Sequence, residues 1–270
     1  MSKLFCFDLD GTLLCDDKSI TSENKNALKE AQKAGHSIAI VTGRSMRGSR
    51  MIVQELNMKA PNCYLISFQG NVVYDLYNEN IIYDAGVSAA NIISLLKDLN
   101  KEGIYAQTFD YGHIITTAQT PELKRYNKIA KEDITFISSW DDLTNQTYPK
   151  VIAIEYKDTN KLYKFQEDFF SSSRKEEFDC FFSSPYFLEF CKKDSNKGYG
   201  VKALAEHLQI PKEDVIAVGD ERNDVSMIQY AGIGCAMANA HKEAKAVADY
   251  ITSNNNNYSG VAEIIQKYLF

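Results

Sequence analysis

The chain has 270 residues, of which 44% are hydrophobic and 24% charged, and this composition excludes wholesale disorder. Its formal net charge is −6 and it has no block of Lys or Arg, so we expect no nucleic-acid partner. No apolar run approaches the roughly 18 residues that a membrane helix needs, so we expect no membrane partner either.

Short apolar β-type runs alternate with helical patterns at both ends of the chain, which is typical of a parallel sheet covered by helices. In the first part we predict strands at 4–9, 37–42 and 63–67, a helix at 21–34 and a hairpin at 72–84. In the last part we predict a helix at 196–208 and strands at 215–218 and 233–236. Together they predict one Rossmann-like, doubly wound α/β core.

The pattern between these two parts is different. Residues 83–186 combine an amphipathic helix at 88–101 with several short β-runs that are rich in aromatic residues. A chain of this length is expected to form about two domains. We therefore predict a discontinuous core, 1–82 and 187–270, interrupted by an α/β insert at 83–186.

The most informative stretch is Asp8-Leu9-Asp10-Gly11-Thr12, which follows the first predicted strand. Open parallel sheets bind ligands at the carboxyl ends of their strands, so two acids are expected in one crevice. Carboxylates this close repel each other and need a cation or a shared proton. The alternative is an Asp-Gly turn that ends an ordinary strand.

Three further stretches place polar residues at strand or helix ends. Thr42 and Gly43 suit hydrogen bonding to phosphate oxygens, although a Thr-Gly pair also begins ordinary helices. The cluster at 219–224 offers hard oxygen ligands that suit Mg²⁺, although acids also favour a first helical turn. Lys197 opens a helix, and by itself it would be taken for a solvent-exposed lysine. The four stretches in this order indicate a phosphate and metal site.

These motifs resemble those of the haloacid dehalogenase (HAD) superfamily of hydrolases, and in particular its Cof-type (subfamily IIB) phosphatases. The matching positions are Asp8–Thr12 for the first motif, Thr42 for the second, Lys197 for the third, and Gly219-Asp220 with Asn223-Asp224 for the fourth. The resemblance spans the chain and implies a HAD-fold core with an inserted α/β cap of C2B type. Gln69-Gly70 stands where the family usually has Asn-Gly, and we expect this to matter little because glycine supplies the turn.

The resemblance also implies roles for individual residues. Asp8 would attack phosphorus, and Asp10 would act first as an acid and then as a base. The residues that would bind phosphoryl oxygens are Leu9, Thr42, Gly43, Lys197 and Asn223. The residues that would hold Mg²⁺ are Asp8, Asp10 through its carbonyl, and Asp220, while Asp224 would either support the metal or orient Lys197. Glu221 is expected to be a solvent-facing acid in a first helical turn.

The charges of these residues explain why we expect a metal. Four aspartates oppose the single positive charge of Lys197 before any phosphate dianion arrives. Mg²⁺ would reduce the net charge of the site to −1, and protonation of Asp10 would bring it to zero. Without the metal, the acids should raise each other's pKa and repel the substrate.

Other patterns favour no second site. Gly198-Tyr199-Gly200 begins a Gly-x-Gly-x-x-Ala pattern, but a polar segment precedes it where a dinucleotide site needs a strand. The four histidines are isolated and predict neither a zinc site nor a catalytic triad. Asp110–His113 in the insert is either a specificity loop or a surface turn.

The sequence therefore predicts a Mg²⁺-dependent phosphatase acting on a small phosphorylated metabolite such as a sugar phosphate, as a monomer or small homo-oligomer. We expect it in the cytoplasm, because its six cysteines are scattered without any Cys-x-x-Cys pair. One alternative is a phosphomannomutase-like phosphotransferase, which shares the aspartyl-phosphate chemistry. Another is a receiver-like module that stores a phosphoryl group, but receivers lack the acid two residues after the nucleophile.

Overall fold

The structure is a computed structural model that describes residues 2–145 and 147–269. The chain divides into a core unit, Met1–Arg44, Arg50–Asp84 and Asn196–Phe270, and an insert unit, Ser45–Ser49 and Ala85–Ser195. Among the described residues, no helix is both long enough and apolar enough to cross a membrane.

The first part of the core unit contains five strands and two helices. They are β1 (Leu4–Asp8), α1 (Ser22–Lys33), β2 (Ser37–Val41), α2 (Arg50–Glu55), β3 (Cys63–Ser67), β4 (Val72–Asp75) and β5 (Asn80–Asp84). Helix α1 begins where the Thr21 hydroxyl accepts a hydrogen bond from the Asn24 amide at 3.2 Å. It ends before Gly35, whose φ of 84° suits glycine.

In the part of the insert unit that the structure describes there are eight strands and three helices. They are β6 (Val87–Ser88), α3 (Ala89–Lys101), β7 (Tyr105–Phe109), β8 (His113–Thr116), α4 (Pro121–Ala130), β9 (Asp133–Phe136), β10 (Thr147–Tyr148), β11 (Lys150–Ile154), α5 (Asn160–Ser171), β12 (Phe178–Ser184) and β13 (Phe187–Lys192). Six of the strands form a sheet in the order β12-β13-β11-β7-β8-β9. Ile92 and three leucines of α3 are buried in one cluster with residues of this sheet, so the insert has a hydrophobic core of its own.

The chain then returns to the core unit. The remaining elements are α6 (Lys197–His207), β14 (Val215–Gly219), α7 (Val225–Tyr230), β15 (Ile233–Ala236), α8 (Lys242–Val247), β16 (Tyr250–Ile251) and α9 (Gly260–Tyr268). The core sheet has the order β16-β15-β14-β1-β2-β3-β4-β5, and it is parallel from β16 to β3. Strands β4 and β5 add an antiparallel hairpin at one edge. The predicted Rossmann-like core with an α/β insert is confirmed.

The predicted limits of the insert need correction. We expected the core to resume at 187, but β13 pairs with β11 and β12 in the insert sheet, and the core resumes at Asn196. The segment Ser45–Ser49, which we expected to belong to the core, groups with the insert unit. The first difference arises from strand partners that are distant in sequence, which an apolar run does not identify. In the second, Arg47 pairs with Asp133 of the insert, a contact that is also distant in sequence.

Candidate active site

Three adjacent parallel strands deliver the predicted site residues to one edge of the core sheet. Strand β1 pairs with β14 on one side and with β2 on the other, so their carboxyl ends lie together. Asp8 ends β1, Thr42 follows β2, and Asp220 follows β14. All three side chains are buried. The structure therefore brings the first, second and fourth motifs to the edge where open parallel sheets bind ligands.

Lys197 is the first residue of α6 and is buried between two carboxylates. Its Nζ donates to Asp8 Oδ1 at 2.6 Å and to Asp224 Oδ1 at 2.5 Å. Burial lowers the pKa of this lysine, but the charges of Asp8 and Asp224 outweigh burial and raise it above the usual value. The alternative of a solvent-exposed lysine is wrong, because only 1% of the residue is exposed.

Asp224 uses both of its carboxylate oxygens within the protein. Oδ1 accepts from Lys197, and Oδ2 accepts from the backbone amides of Asp220 and Glu221, each at 2.9 Å. This geometry favours orientation of Lys197 over direct support of a metal. The Glu221 side chain is exposed and accepts from the Arg222 amide at 3.2 Å, as expected for an acid in a first turn.

The carboxylates of Asp8, Asp220 and Asp224 offer oxygen atoms within 4.8 Å of one another. Burial and the charge of Asp224 raise the pKa of Asp8 to about 8. The same two causes raise the pKa of Asp220 to about 6. Oxygen donors with this excess of negative charge fit a hard divalent cation such as Mg²⁺, which would relieve their repulsion.

The turn after β1 is shaped around Asp220. The Thr12 hydroxyl donates to Asp220 Oδ1 at 3.0 Å. Gly11 has a φ of 80°, and a Cβ atom there would lie 2.2 Å from Asp220 Oδ2. Glycine is required at this position for both its conformation and its lack of a side chain.

The side chain of Asp10 is paired with two cations. Arg44 donates to it from Nε at 3.0 Å and from Nη2 at 2.7 Å, and Lys18 donates from Nζ at 2.8 Å. The cluster of carboxylates that could hold a metal does not include Asp10. A metal contact of Asp10 through its backbone carbonyl stays a prediction. Sequence reasoning missed both cations.

The predicted phosphate-binding residues surround the same edge. Thr42 Oγ1 accepts from the Arg44 amide at 3.1 Å, and Leu9 is fully buried. Asn223 is exposed, and its Nδ2 donates to Gln69 Oε1 at 3.1 Å. We expected the replacement at Gln69 to matter little, yet its side chain contacts a predicted site residue.

Two asparagines that the sequence did not single out support the turn after Asp10. Asn239 Nδ2 donates to the Gly11 carbonyl at 2.8 Å, and Asn256 Nδ2 donates to the Leu14 carbonyl at 3.0 Å. The Asn256 amide in turn donates to Asn239 Oδ1 at 3.1 Å. The run of four asparagines at 254–257 was the available sequence signal for Asn256.

The structure also accounts for the remaining patterns. A Cβ atom on Gly198 would lie 2.5 Å from the Ser226 carbonyl oxygen, and one on Gly200 would lie 2.5 Å from Ile66 Cγ2. Close packing of α6 thus explains these glycines without a dinucleotide. In the insert, Asp110 Oδ1 accepts from the Gly112 amide at 2.7 Å and closes the turn between β7 and β8.

Comparisons with known proteins identify the family of the chain. A family model described as haloacid dehalogenase-like hydrolase matches residues 5–265. Phosphatase YwpJ of Bacillus subtilis is 28% identical over 99% of this chain and 100% of its own. The 5-amino-6-(5-phospho-D-ribitylamino)uracil phosphatase YcsE of the same organism is also 28% identical, over 99% of this chain and 96% of its own.

Solved structures share the fold. A haloacid dehalogenase-like hydrolase from Bacteroides thetaiotaomicron has a TM-score of 0.88 and 29% identity, covering 99% of both chains. The HAD subclass IIB sugar phosphatase BT4131 has a TM-score of 0.76 and 21% identity over 100% of both chains, a likeness of fold alone.

The fold and these comparisons therefore define a hydrolase of the haloacid dehalogenase type. The chain belongs to the haloacid dehalogenase-like hydrolase family. The expected assignment to the haloacid dehalogenase superfamily is confirmed, and the protein is an enzyme of the phosphatase and phosphotransferase group. The Cof-type, subfamily IIB assignment remains our prediction.

Proposed function

We propose that the protein is a Mg²⁺-dependent phosphatase that hydrolyses a small phosphorylated metabolite through an aspartyl-phosphate on Asp8. The observation that carries this proposal is Lys197, buried between Asp8 and Asp224, with Asp220 beside them. A buried lysine in this position offsets the charge of the nucleophile and provides a cation for phosphoryl oxygens.

In the first step, an Asp8 carboxylate oxygen forms a bond to phosphorus as the ester P–O bond breaks. Asp10 gives its proton to the departing oxygen, so the leaving group departs as an alcohol. In the second step, Asp10 takes a proton from water while the water oxygen attacks phosphorus. The Asp8–phosphorus linkage then breaks, which releases inorganic phosphate and restores the Asp8 carboxylate and the protonated Asp10.

The chain's own donors bind the phosphoryl group in both steps. Lys197, the Thr42 hydroxyl, the backbone amides of Leu9 and Gly43, and the Asn223 amide would bind its oxygens. Asp8, Asp220 and the Asp10 carbonyl would hold Mg²⁺, which supplies positive charge against the developing charge on phosphorus. Asp224 acts through Lys197, since both of its oxygens are already engaged.

One relative and the chemistry of the site support a proposal for the substrate class. The core residues recognise a phosphoryl group and a cation, and they carry no information about the leaving group. Because YcsE acts on a phosphorylated ribityl compound, we propose a small phosphorylated polyol or sugar as substrate. A cytoplasmic protein, active as a monomer or small homo-oligomer, remains our prediction, and the six cysteines are free.

A panel of phosphorylated sugars and polyols tests the proposal. The full chain should release inorganic phosphate with Mg²⁺ and lose this activity in EDTA. Asp8→Asn should abolish turnover, whereas Asp17→Asn, at an exposed acid in the same loop, should retain it. Conversion of one sugar monophosphate into its isomer, without phosphate release, would identify a phosphomannomutase-like enzyme instead. A phosphoenzyme that persists for minutes would favour a receiver-like module.

A further inference from the structure

Gln69 lies in an uncommon turn directly after β3. Phe68, Gln69 and Gly70 have φ angles of 51°, 60° and 98°, so two residues with side chains adopt the left-handed conformation in succession. This conformation is sterically unfavourable for residues other than glycine, and it persists only where the surroundings impose it.

Backbone hydrogen bonds fasten this turn to the segment that follows β2. The Gln69 amide donates to the Thr42 carbonyl at 3.1 Å, and the Phe68 amide donates to the Arg44 carbonyl at 3.0 Å. The turn and the predicted phosphate-binding segment are therefore held as one piece. The backbone of Gln69, from which its side chain extends, is therefore fixed.

The Gln69 side chain requires the space that Gly43 leaves open. The φ of Gly43 lies outside the left-handed region, so its conformation does not demand glycine. A Cβ atom there would lie 2.5 Å from Gln69 Nε2 and 3.0 Å from Gln69 Cδ, its nearest neighbours. The missing side chain at 43 makes room for the Gln69 carboxamide.

The other end of the carboxamide holds Asn223. Gln69 Oε1 accepts from Asn223 Nδ2 at 3.1 Å, although both residues are partly or largely exposed. A side-chain amide has two N–H donors, and this bond uses one of them. The bond restricts rotation of the amide and leaves the second N–H for a ligand oxygen.

We propose that Gln69 is a positioning residue of the phosphoryl site, which orients the Asn223 amide toward the phosphoryl group. The proposal rests on the proposed function, because it takes Asn223 as a phosphate ligand. A donor held in place before the ligand arrives binds without reorganisation, so Gln69 should affect anion affinity. It should leave the carboxylate chemistry of Asp8 and Asp10 unchanged.

The test measures binding of inorganic phosphate and of orthovanadate to the full chain in Mg²⁺ by titration calorimetry. Gln69→Met keeps the length of the side chain but removes its hydrogen bonds. In Gln69→Asn, the asparagine suits the left-handed conformation better and is too short to reach Asn223. This variant therefore tests the proposal even if Gln69→Met fails to fold. Each should weaken anion binding by about tenfold, the value of one well-placed hydrogen bond. Gln54→Met, at an exposed glutamine of α2, should bind like the wild type.

A second arm separates positioning from general damage. In an Asn223→Ala background, Gln69→Asn should weaken phosphate binding by less than about twofold, because the amide that it orients is gone. In kinetics, KM for the best substrate of the panel should rise more than kcat falls.

Three results would overturn the proposal. The first is an anion affinity in both Gln69 variants that is no lower than that of Gln54→Met. The second is a tenfold loss of phosphate affinity from Gln69→Asn that persists in the Asn223→Ala background. In either case the phosphatase proposal survives. If the wild type binds neither anion, Gln69 has no phosphoryl site to position, and the phosphate-binding part of the proposed function fails as well.

Discussion

Arg44 holds the carboxylate of Asp10 with two nitrogen atoms, Nε at 3.0 Å from Oδ2 and Nη2 at 2.7 Å from Oδ1. Lys18 adds a third contact at 2.8 Å. Partial burial raises the pKa of Asp10, but its hydrogen bonds to Arg44 and Lys18 outweigh burial and lower the pKa below the usual value. This arrangement favours the basic form of Asp10, so the proposed acid step requires its release from Arg44.

Replacement of this arginine should therefore change the pH dependence of turnover. In Arg44→Gln the pKa of Asp10 should rise toward its ordinary value. The fall of kcat with rising pH should then move to higher pH for an alkyl phosphate, whose leaving oxygen needs a proton. Arg47→Gln, at an arginine that pairs with Asp133 in the insert unit, is the matched control. Identical pH profiles for the two variants would contradict this role of Arg44.

The metal-free protein should lose stability as the pH rises from about 4 to about 8. The pKa of Asp8 is raised to about 8 and that of Asp220 to about 6, whereas both are near 3.9 in an unfolded chain. The folded state thus keeps protons that the unfolded state releases, and by linkage the free energy of unfolding decreases over this window. Thermal unfolding in EDTA should show a Tm that falls from pH 5 to pH 8.

Mg²⁺ should reverse this trend, because protons and the cation compete for the same carboxylates. The increase in Tm on addition of Mg²⁺ should be larger at pH 8 than at pH 5. Asp8→Asn should flatten the pH dependence in EDTA. Equal Mg²⁺ effects at the two pH values would show that these carboxylates do not hold the metal.

Lys197→Met should destabilise the metal-free protein most at high pH. The substitution leaves Asp8 and Asp224 buried without their shared cation, and breaking a buried ion pair costs about 3–5 kcal/mol. At pH 5 the loss should be smaller, because Asp8 is then protonated in the folded state. Urea unfolding at both pH values measures the difference. Lys202→Met, at an exposed lysine of the same helix, should change stability by less than about 0.5 kcal/mol.

The sequence predicted the core sheet and most of this site because both depend on local patterns. Alternating strands and helices predict which strand ends share an edge, and Asp8, Thr42 and Asp220 lie at those ends. The direction of a side chain is not a local property, so the pairing of Asp10 with Arg44 could not be predicted. The same holds for β13, whose apolar run resembles a core strand until its partners β11 and β12 are known.

Asp10→Asn should separate the two halves of the reaction. An activated ester such as an aryl phosphate leaves without much help from an acid, so attack by Asp8 should continue. Hydrolysis of the aspartyl-phosphate should slow by about 10²–10⁴-fold, because water has lost its base. Rapid-quench measurements should show a burst of leaving group equal in amount to the enzyme. Equal loss of the burst and of the steady-state rate would contradict the proposed roles.

The insert should determine which metabolite is hydrolysed. The core residues recognise only the phosphoryl group and the cation, which all substrates of this chemistry share. The insert unit has its own sheet and hydrophobic core, so its selectivity can be tested separately from the core chemistry. Replacing residues 85–195 with a flexible Gly/Ser linker should retain slow hydrolysis of a small aryl phosphate.

The truncated and full-length proteins should then differ on a panel of phosphorylated sugars and polyols. Loss of the insert should reduce the differences in kcat/KM between substrates, because the remaining core residues recognise only features that all the substrates share. Circular dichroism should first establish that both proteins are folded, since truncation also removes Glu132, the hydrogen-bond partner of Ser45. A full-length Leu99→Ala variant is the control for stability, because this substitution weakens the core of the insert. While it remains folded, it should keep the wild-type order of substrates. An unchanged order with large preferences in the truncated protein would place selectivity in the core and contradict this role of the insert.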